Sequence, residues 1–502
     1  MSRRSPASRC HEPAPTRRAR RAVAALVLSG GLGALLPGLA VAAPGDQVIF
    51  ADPVFRTCVA AALGMRPSSP ITAGQAASLT SLDCGELSPA SLGGAQALTG
   101  LTTLTVSYGS TVTDLAPLAR LTGLRELTVP LGRVTDLSPL RGLTGLTRLD
   151  VYGNPVSSLE PLTGLTELTY LDVTGSSWTT LEPLRHLTKL RRLSADQEGQ
   201  VDISAVAALT GLQRLDLVVP DVRSLAPLRS LTGLTQANVQ AATTDVSALA
   251  PLRRLQTLSL NVGGGDGAAL SDKPDLTELS VYGVRLPSLD VLGSSTRLRW
   301  LVAVAPSIGD VSALRGMPQL SELILSGVDR ADFSPLSRLP ELSYVSVSDS
   351  RLGPVRQFNG FVGLESLQLS NDQIADLDGF RVPANLTSLD VSGNHLADIS
   401  PLGCGLLVNA LAQTVDAGPA TVGQPFRLPL ASVAGQTVSL GPSSAWRTNG
   451  TSITYASAGT FEVPFVADGP PECGEVQLAG VVTQVAAPAV SSGRPMRPPR
   501  DR

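Results

Sequence analysis

The stretch LTRLDVYGNPVSSLEPLTGLTE, Leu146 to Glu167, sets a rule that most of this chain repeats. Its apolar residues Leu146, Leu149, Val151, Val156, Leu159, Leu162 and Leu165 fall at uneven but fixed offsets, and Leu168 restarts the series 22 residues after Leu146. Neither a helix nor a strand has that period. One coil of a solenoid does, because a short strand, a tight turn and a compact return path each send residues into a shared core. A single coil cannot bury its own apolar edge, so its neighbours must carry the pattern too.

They carry it for fifteen coils, with the strand-opening leucine at Leu79, Leu101, Leu124, Leu146, Leu168, Leu190, Leu212, Leu234, Leu255, Leu276, Leu298, Leu320, Leu342, Leu364 and Leu386. The step is 22 residues except for one of 23 (Leu101 to Leu124) and two of 21 (Leu234 to Leu255 to Leu276). After the strand, many coils read Asp-Leu-Ser-Pro-Leu or a relative, as at Asp136–Leu140, Asp332–Leu336 and Asp398–Leu402. Proline there sits in the return path, where no strand needs its missing N–H. The convex side is therefore expected to be short turns and 3₁₀ pieces.

At these residues the chain resembles the leucine-rich repeats of the internalin family. The resemblance implies an α/β leucine-rich-repeat solenoid with a parallel sheet on the concave face, followed by a small all-β Ig-like sandwich. It also implies an exported binding protein that engages a partner through the concave face. One departure stands out. The family places Asn at the ninth position of each coil, and only Asn154 and Asn394 keep it, with Asp372 a partial substitute. Gly132, Ser176, Pro220, Ala242 and Val328 fill equivalent slots. Buried turn groups still need partners, so the middle coils are expected to be less regular.

The ends read differently from the body. Residues 1–42 combine a basic segment ending at Arg21, an apolar run and an Ala40-Val41-Ala42 site, the form of a secretory signal peptide cleaved near Ala42. Residues 43–78 read as a helical cap, with Asp52-Pro53 opening one helix and Thr72/Gln75 spaced as a capping box for another. The repeats occupy 79–402. From 403 to 486, alternating strands such as TVSL, SITYA and GTFEVPFVA, separated by Pro, Gly and Asn, resemble the Ig-like domain that follows internalin repeats. Residues 487–502 read as a disordered tail without an anchor or sorting motif.

Without residues 1–42, Lys+Arg falls from 39 to 32 and Asp+Glu from 42 to 41, for a net charge near −9. Nucleic acid is excluded as the main partner. Cys10 leaves with the leader, and four cysteines remain. An exported chain favours disulfides, and position pairs Cys58 with Cys84 and Cys404 with Cys473. No transmembrane span is expected, since the apolar run of the leader is too short to cross a bilayer.

Side chains alternate along a strand, so the third, fifth and seventh residues of each coil face outward on the concave side. Trp300, Val302, Ile324, Tyr344 and Tyr282 put apolar bulk on a face built largely of Ser, Thr and Asp, which is how interface anchors read. Tyr152 and Tyr170, on adjacent strands, form a second candidate. The alternative is that these residues pack on one another. Glycines in Asn261–Asp275 lack a following GK[ST], so an irregular coil is expected rather than a phosphate cradle. Paired carboxylates such as Asp150 and Asp172 arise readily when coils repeat a residue type, and His186 and His395 lie about nine coils apart. No catalytic group, metal site or cofactor is expected. The function predicted is a secreted bacterial binding module for a protein partner, on a host-cell or bacterial surface. The competing reading is an envelope or matrix protein that binds cell-wall polysaccharide or copies of itself.

Overall fold

A computed structural model describes residues 43–403, 405–468 and 476–488. The signal peptide expected over residues 1–42, most of the tail expected from 487, and both Cys404 and Cys473 lie outside the described residues, as therefore does the bridge expected between those cysteines.

The cap begins at Asp52, whose carboxylate accepts from the N–H groups of Val54 (2.6 Å) and Phe55 (3.3 Å) and so satisfies the free N-terminal donors of helix α1, Pro53–Ala62. The same carboxylate reaches Ser91 N at 3.1 Å, tying the helix to the first coil. These backbone donors hold its pKa below the usual carboxylate value, although burial works against them. Helix α2, Ala73–Ser78, opens with the reciprocal Thr72/Gln75 capping box. A disulfide joins Cys58 on α1 to Cys84 in the first coil, with Cα atoms 5.1 Å apart. The cap is thus fastened to the solenoid covalently.

Fifteen parallel strands follow, one per coil. The first five have three residues each: β1 Ser81–Asp83, β2 Thr103–Thr105, β3 Glu126–Thr128, β4 Arg148–Asp150 and β5 Tyr170–Asp172. The middle strands are longer: β6 Arg192–Asp196, β7 Arg214–Val219, β8 Gln236–Ala241, β9 Thr257–Val262, β10 Glu278–Tyr282, β11 Trp300–Ile308 and β12 Glu322–Val328. They shorten again through β13 Tyr344–Ser348, β14 Ser366–Ser370 and β15 Ser388–Asp390. Each strand pairs in register with the equivalent residue of the next coil, as in Leu149↔Leu171 and Leu323↔Val345. Return paths carry 3₁₀ turns, among them Ser138–Leu140, Ser334–Leu336 and Ser400–Leu402. The aliphatic rows close on one another: Leu146, Leu149, Val151, Val156, Leu162 and Leu165 are fully buried, each worth about 1.5–3 kcal/mol of transfer free energy.

Two devices close the turn that leaves the strand. Where Asn is kept, its side chain does it. Asn154 Oδ1 accepts from Val134 N, and Nδ2 donates to the carbonyls of Val129 and Val151. Where Asn is lost in the middle coils, the backbone ladder runs on instead. Val219 pairs with Ala241 and Ala241 with Val262, so N–H and C=O groups that a turn would expose find partners in the neighbouring coil. The middle coils are thus longer-stranded.

Strand β16, Leu407–Thr421, starts as a sixteenth solenoid strand against β15 and then leaves the repeats to pair with a C-terminal strand. The C-terminal region adds β17 Phe426–Arg427, β18 Thr437–Leu440, β19 Trp446–Asn449, β20 Ser452–Tyr455, β21 Gly459–Asp468 and β22 Val476–Ala487. Antiparallel pairs β18–β21, β21–β22 and β17–β20–β19 make it an all-β region consistent with the Ig-like part. Its small core centres on Tyr455, whose ring stacks on Phe461 at 4.6 Å between centroids and whose hydroxyl is 2.7 Å from Gln484 Oε1.

Candidate functional site: the concave face

Register fixes three rows of side chains along the concave sheet. One row runs Arg148, Tyr170, Arg192, Arg214 across β4 to β7, and the next runs Asp150, Asp172, Ser194, Asp216. Basic and acidic rows side by side neutralise each other in part: Arg148 meets Asp150 at 3.3 Å, and Arg214 and Arg192 share Asp216 at 3.2 and 3.8 Å. Tyr170 is held between two guanidinium groups, with the Arg148 carbon 3.5 Å and the Arg192 carbon 5.1 Å from its ring centroid. Tyr170 is therefore half-buried in a stack, whereas Tyr152 stands 39% exposed.

Burial raises the Asp150 pKa above the usual carboxylate value, and the Asp172 charge beside it adds to that; a hydrogen bond from Tyr152 N and the charges of Arg148 and Arg192 oppose it. Of these neighbouring carboxylates, Asp150 is engaged by Arg148. Among the described residues no three His, Cys, Asp or Glu gather into a metal-binding group, and His395 Nδ1 lies 2.8 Å from the Thr414 carbonyl.

Farther along, β10 to β13 bring the second set together. In register, Glu278, Trp300, Glu322 and Tyr344 form one row, Ser280, Val302, Ile324 and Ser346 the next, and Tyr282, Val304 and Ser326 the third. Trp300, Ile324 and Tyr344 are half-buried, and Tyr282 is 39% exposed. Val302 is not a surface anchor in its own right: only 5% of it is accessible, because it lies at the centre of the group with Ile324 at its height and Trp300 and Val304 along its own strand. Its role is to support the side chains around it. Val304, 37% exposed and paired with Tyr282, belongs to the same apolar patch. It occupies the seventh position of its coil and was readable there.

The glycine-rich coil is ordered rather than irregular. Asp266 caps a 3₁₀ turn, Gly267–Leu270, through Ala268 N at 2.9 Å. A Cβ on Gly283 would lie 1.9 Å from the Val262 carbonyl oxygen, so coil stacking rather than a ligand accounts for that glycine. Lys273 is fully buried and caps the carbonyls of Ala250 and Ser271 at 3.3 and 3.2 Å, with burial pulling its pKa down to about 8.

These features define the class: a leucine-rich-repeat solenoid with a long concave face. The chain is similar to internalins, whose solenoid fold it shares. It is similar to an internalin (InlF) from Listeria monocytogenes at 26% identity and a TM-score of 0.59, over 65% of this chain and 97% of that one. The functional domain of InlJ from the same organism matches over 89% of this chain and 100% of its own, at 20% identity and a TM-score of 0.58. A leucine-rich-repeat protein of Leptospira interrogans shares the fold at 20% identity and a TM-score of 0.54, over 64% of this chain and 86% of that one. Neither a sequence-family model nor a curated protein sequence matches. Among the described residues no helix is long and apolar enough to cross a membrane.

Proposed function

We propose that this is a secreted bacterial binding protein that engages a protein partner, on a host-cell or bacterial surface, through the concave face of β10 to β13. The observation that carries the reading is that register gathers Trp300, Val304, Ile324, Tyr282 and Tyr344 onto four adjacent strands, among Ser and Glu neighbours in the same rows. Half-exposed aromatic residues stand around the buried Val302, with Glu278 beside Trp300 and Glu322 between Trp300 and Tyr344, a mix of aromatic and charged side chains that suits an interface. The signal peptide expected over residues 1–42 and the Ig-like resemblance of the C-terminal region fit an exported internalin-like chain. A pull-down from host-cell and envelope extracts tests the proposal, with wild type compared to the Trp300→Ala/Ile324→Ala variant. Loss of a specific protein in the variant supports it. Retention of cell-wall polysaccharide by both forms, with no protein lost, favours the envelope or matrix role instead.

A further inference from the structure

A second surface lies on the rim of coils two to five, around Tyr152, which the sequence offered as a candidate only together with Tyr170. The turn that leaves each strand there has two residues: Tyr108-Gly109, Pro130-Leu131, Tyr152-Gly153 and Thr174-Gly175. The second residue is left-handed in every one, with φ of 84° at Gly109, 69° at Gly153 and 78° at Gly175. Leu131 takes the same slot at φ 51°. A residue with a Cβ is disfavoured in that conformation by roughly 1–2 kcal/mol, and Leu131 gains little burial in return, since it is 44% exposed. Tyr108, 71% exposed, and Tyr152, 39% exposed, stand on either side of it along the rim. Strain carried by an exposed apolar side chain points to use outside the fold.

Tyr152 also forms a wall of a depression of about 330 Å³ on the concave sheet, lined by Asp172, Thr174, Asp196, Arg214 and Asp216 among others. Asp216 is neutralised by Arg214 and Arg192. Among the described residues Asp172 and Asp196 make no ion pair, and each instead accepts one backbone N–H, from Thr174 at 3.0 Å and from Gly175. The depression therefore keeps two surplus carboxylates beside an aromatic wall, next to an apolar ridge.

We infer that the ridge Tyr108–Leu131–Tyr152 and the adjoining acidic depression form a docking site for a protein segment that presents a lysine or arginine beside an apolar side chain. The cation enters the depression, against Tyr152 and the carboxylates of Asp172 and Asp196. The apolar neighbour lies on Leu131 and Tyr108. This site is separate from the patch at Trp300 and does not depend on it.

The test pans a random dodecapeptide phage library on the mature protein and measures the affinity of the resulting consensus peptide by fluorescence anisotropy. Expected is enrichment of Lys or Arg adjacent to aromatic or aliphatic residues. Asp172→Asn with Asp196→Asn keeps the oxygens that accept from Thr174 and Gly175, so the fold is retained, and binding should fall at least about tenfold. Leu131→Gly relieves the left-handed strain, so it should weaken binding severalfold while leaving the melting temperature equal or higher. Trp300→Ala/Ile324→Ala should bind the peptide as wild type does. A consensus without basic residues, or equal affinity for the double Asn variant, overturns the inference; either result leaves the Trp300 proposal standing.

Discussion

The coils around β4 and β15 and the coils from β7 to β9 solve one problem in two ways. In the first set a three-residue strand ends early and a buried asparagine gathers the loose backbone groups; Asn394 alone accepts from Asp372 N and Ile374 N and donates to the carbonyls of Leu369, Val391 and Ser392. In the second set, six-residue strands keep the ladder going and need no such side chain. The lesson is that the repeat conserves satisfied backbone groups rather than the asparagine. It also means that the asparagine slot should matter to stability in the first set and hardly at all in the second.

The sharpest break of the comparison is Asn394→Ala, which strips partners from several buried backbone groups at once. Urea denaturation should show a loss of about 4 kcal/mol, with hydrogen exchange accelerated first in β14 and β15. Next in size, replacing both Cys58 and Cys84 by Ser frees the cap at the opposite end, and the loss expected for a loop of 26 residues' separation is about 3 kcal/mol. Exchange should then quicken in α1 and β1 and leave β14 unchanged.

Asp372 sharpens the comparison further, because it is a carboxylate in an asparagine slot. Its Oδ1 accepts from Ser350 N at 3.0 Å, but its buried Oδ2 has no partner, where Asn394 uses an NH₂ group to donate. Burial pushes its pKa up to about 8, with the Asp349 charge adding to this and the Ser350 hydrogen bond opposing it. A carboxyl raised in the folded state binds its proton more tightly there than in the unfolded chain, so its contribution is complete below about pH 4 and is lost as pH rises through about 8. Asp372→Asn should therefore raise the stability by about 2 kcal/mol at pH 9, with the gain shrinking towards pH 4 in thermal melts. The smallest effect is expected at Ala242→Asn. Ala242 follows a continuous strand and is exposed, so an asparagine restored to that slot should change stability by no more than about 0.5 kcal/mol.

The solenoid was legible because its leucines are spaced by coil geometry alone, and the lost asparagines were visible in the same register. Their replacement was harder to read. The alternation Leu215, Leu217, Val219 that extends β7 is present in the chain, yet whether a ladder forms depends on the neighbouring coils extending equally. Trp300, Ile324, Tyr344 and Tyr282 fall on the face expected of them, whereas the burial of Val302 follows from side chains on two strands and is invisible to periodicity. The 23-residue step hid the ridge: it leaves open which side of the turn holds the extra residue, and only the backbone aligns Tyr108 with Tyr152 and Gly109 with Leu131.

Hydroxyl-radical footprinting of the protein from residue 43 onward, alone and saturated with any protein retained in the pull-down, tests the proposed binding most directly. Protection of Trp300, Tyr282, Ile324 and Tyr344, with Trp446 in the C-terminal region unchanged, is the predicted result. Capture of a partner that leaves those four side chains as reactive as before would contradict it.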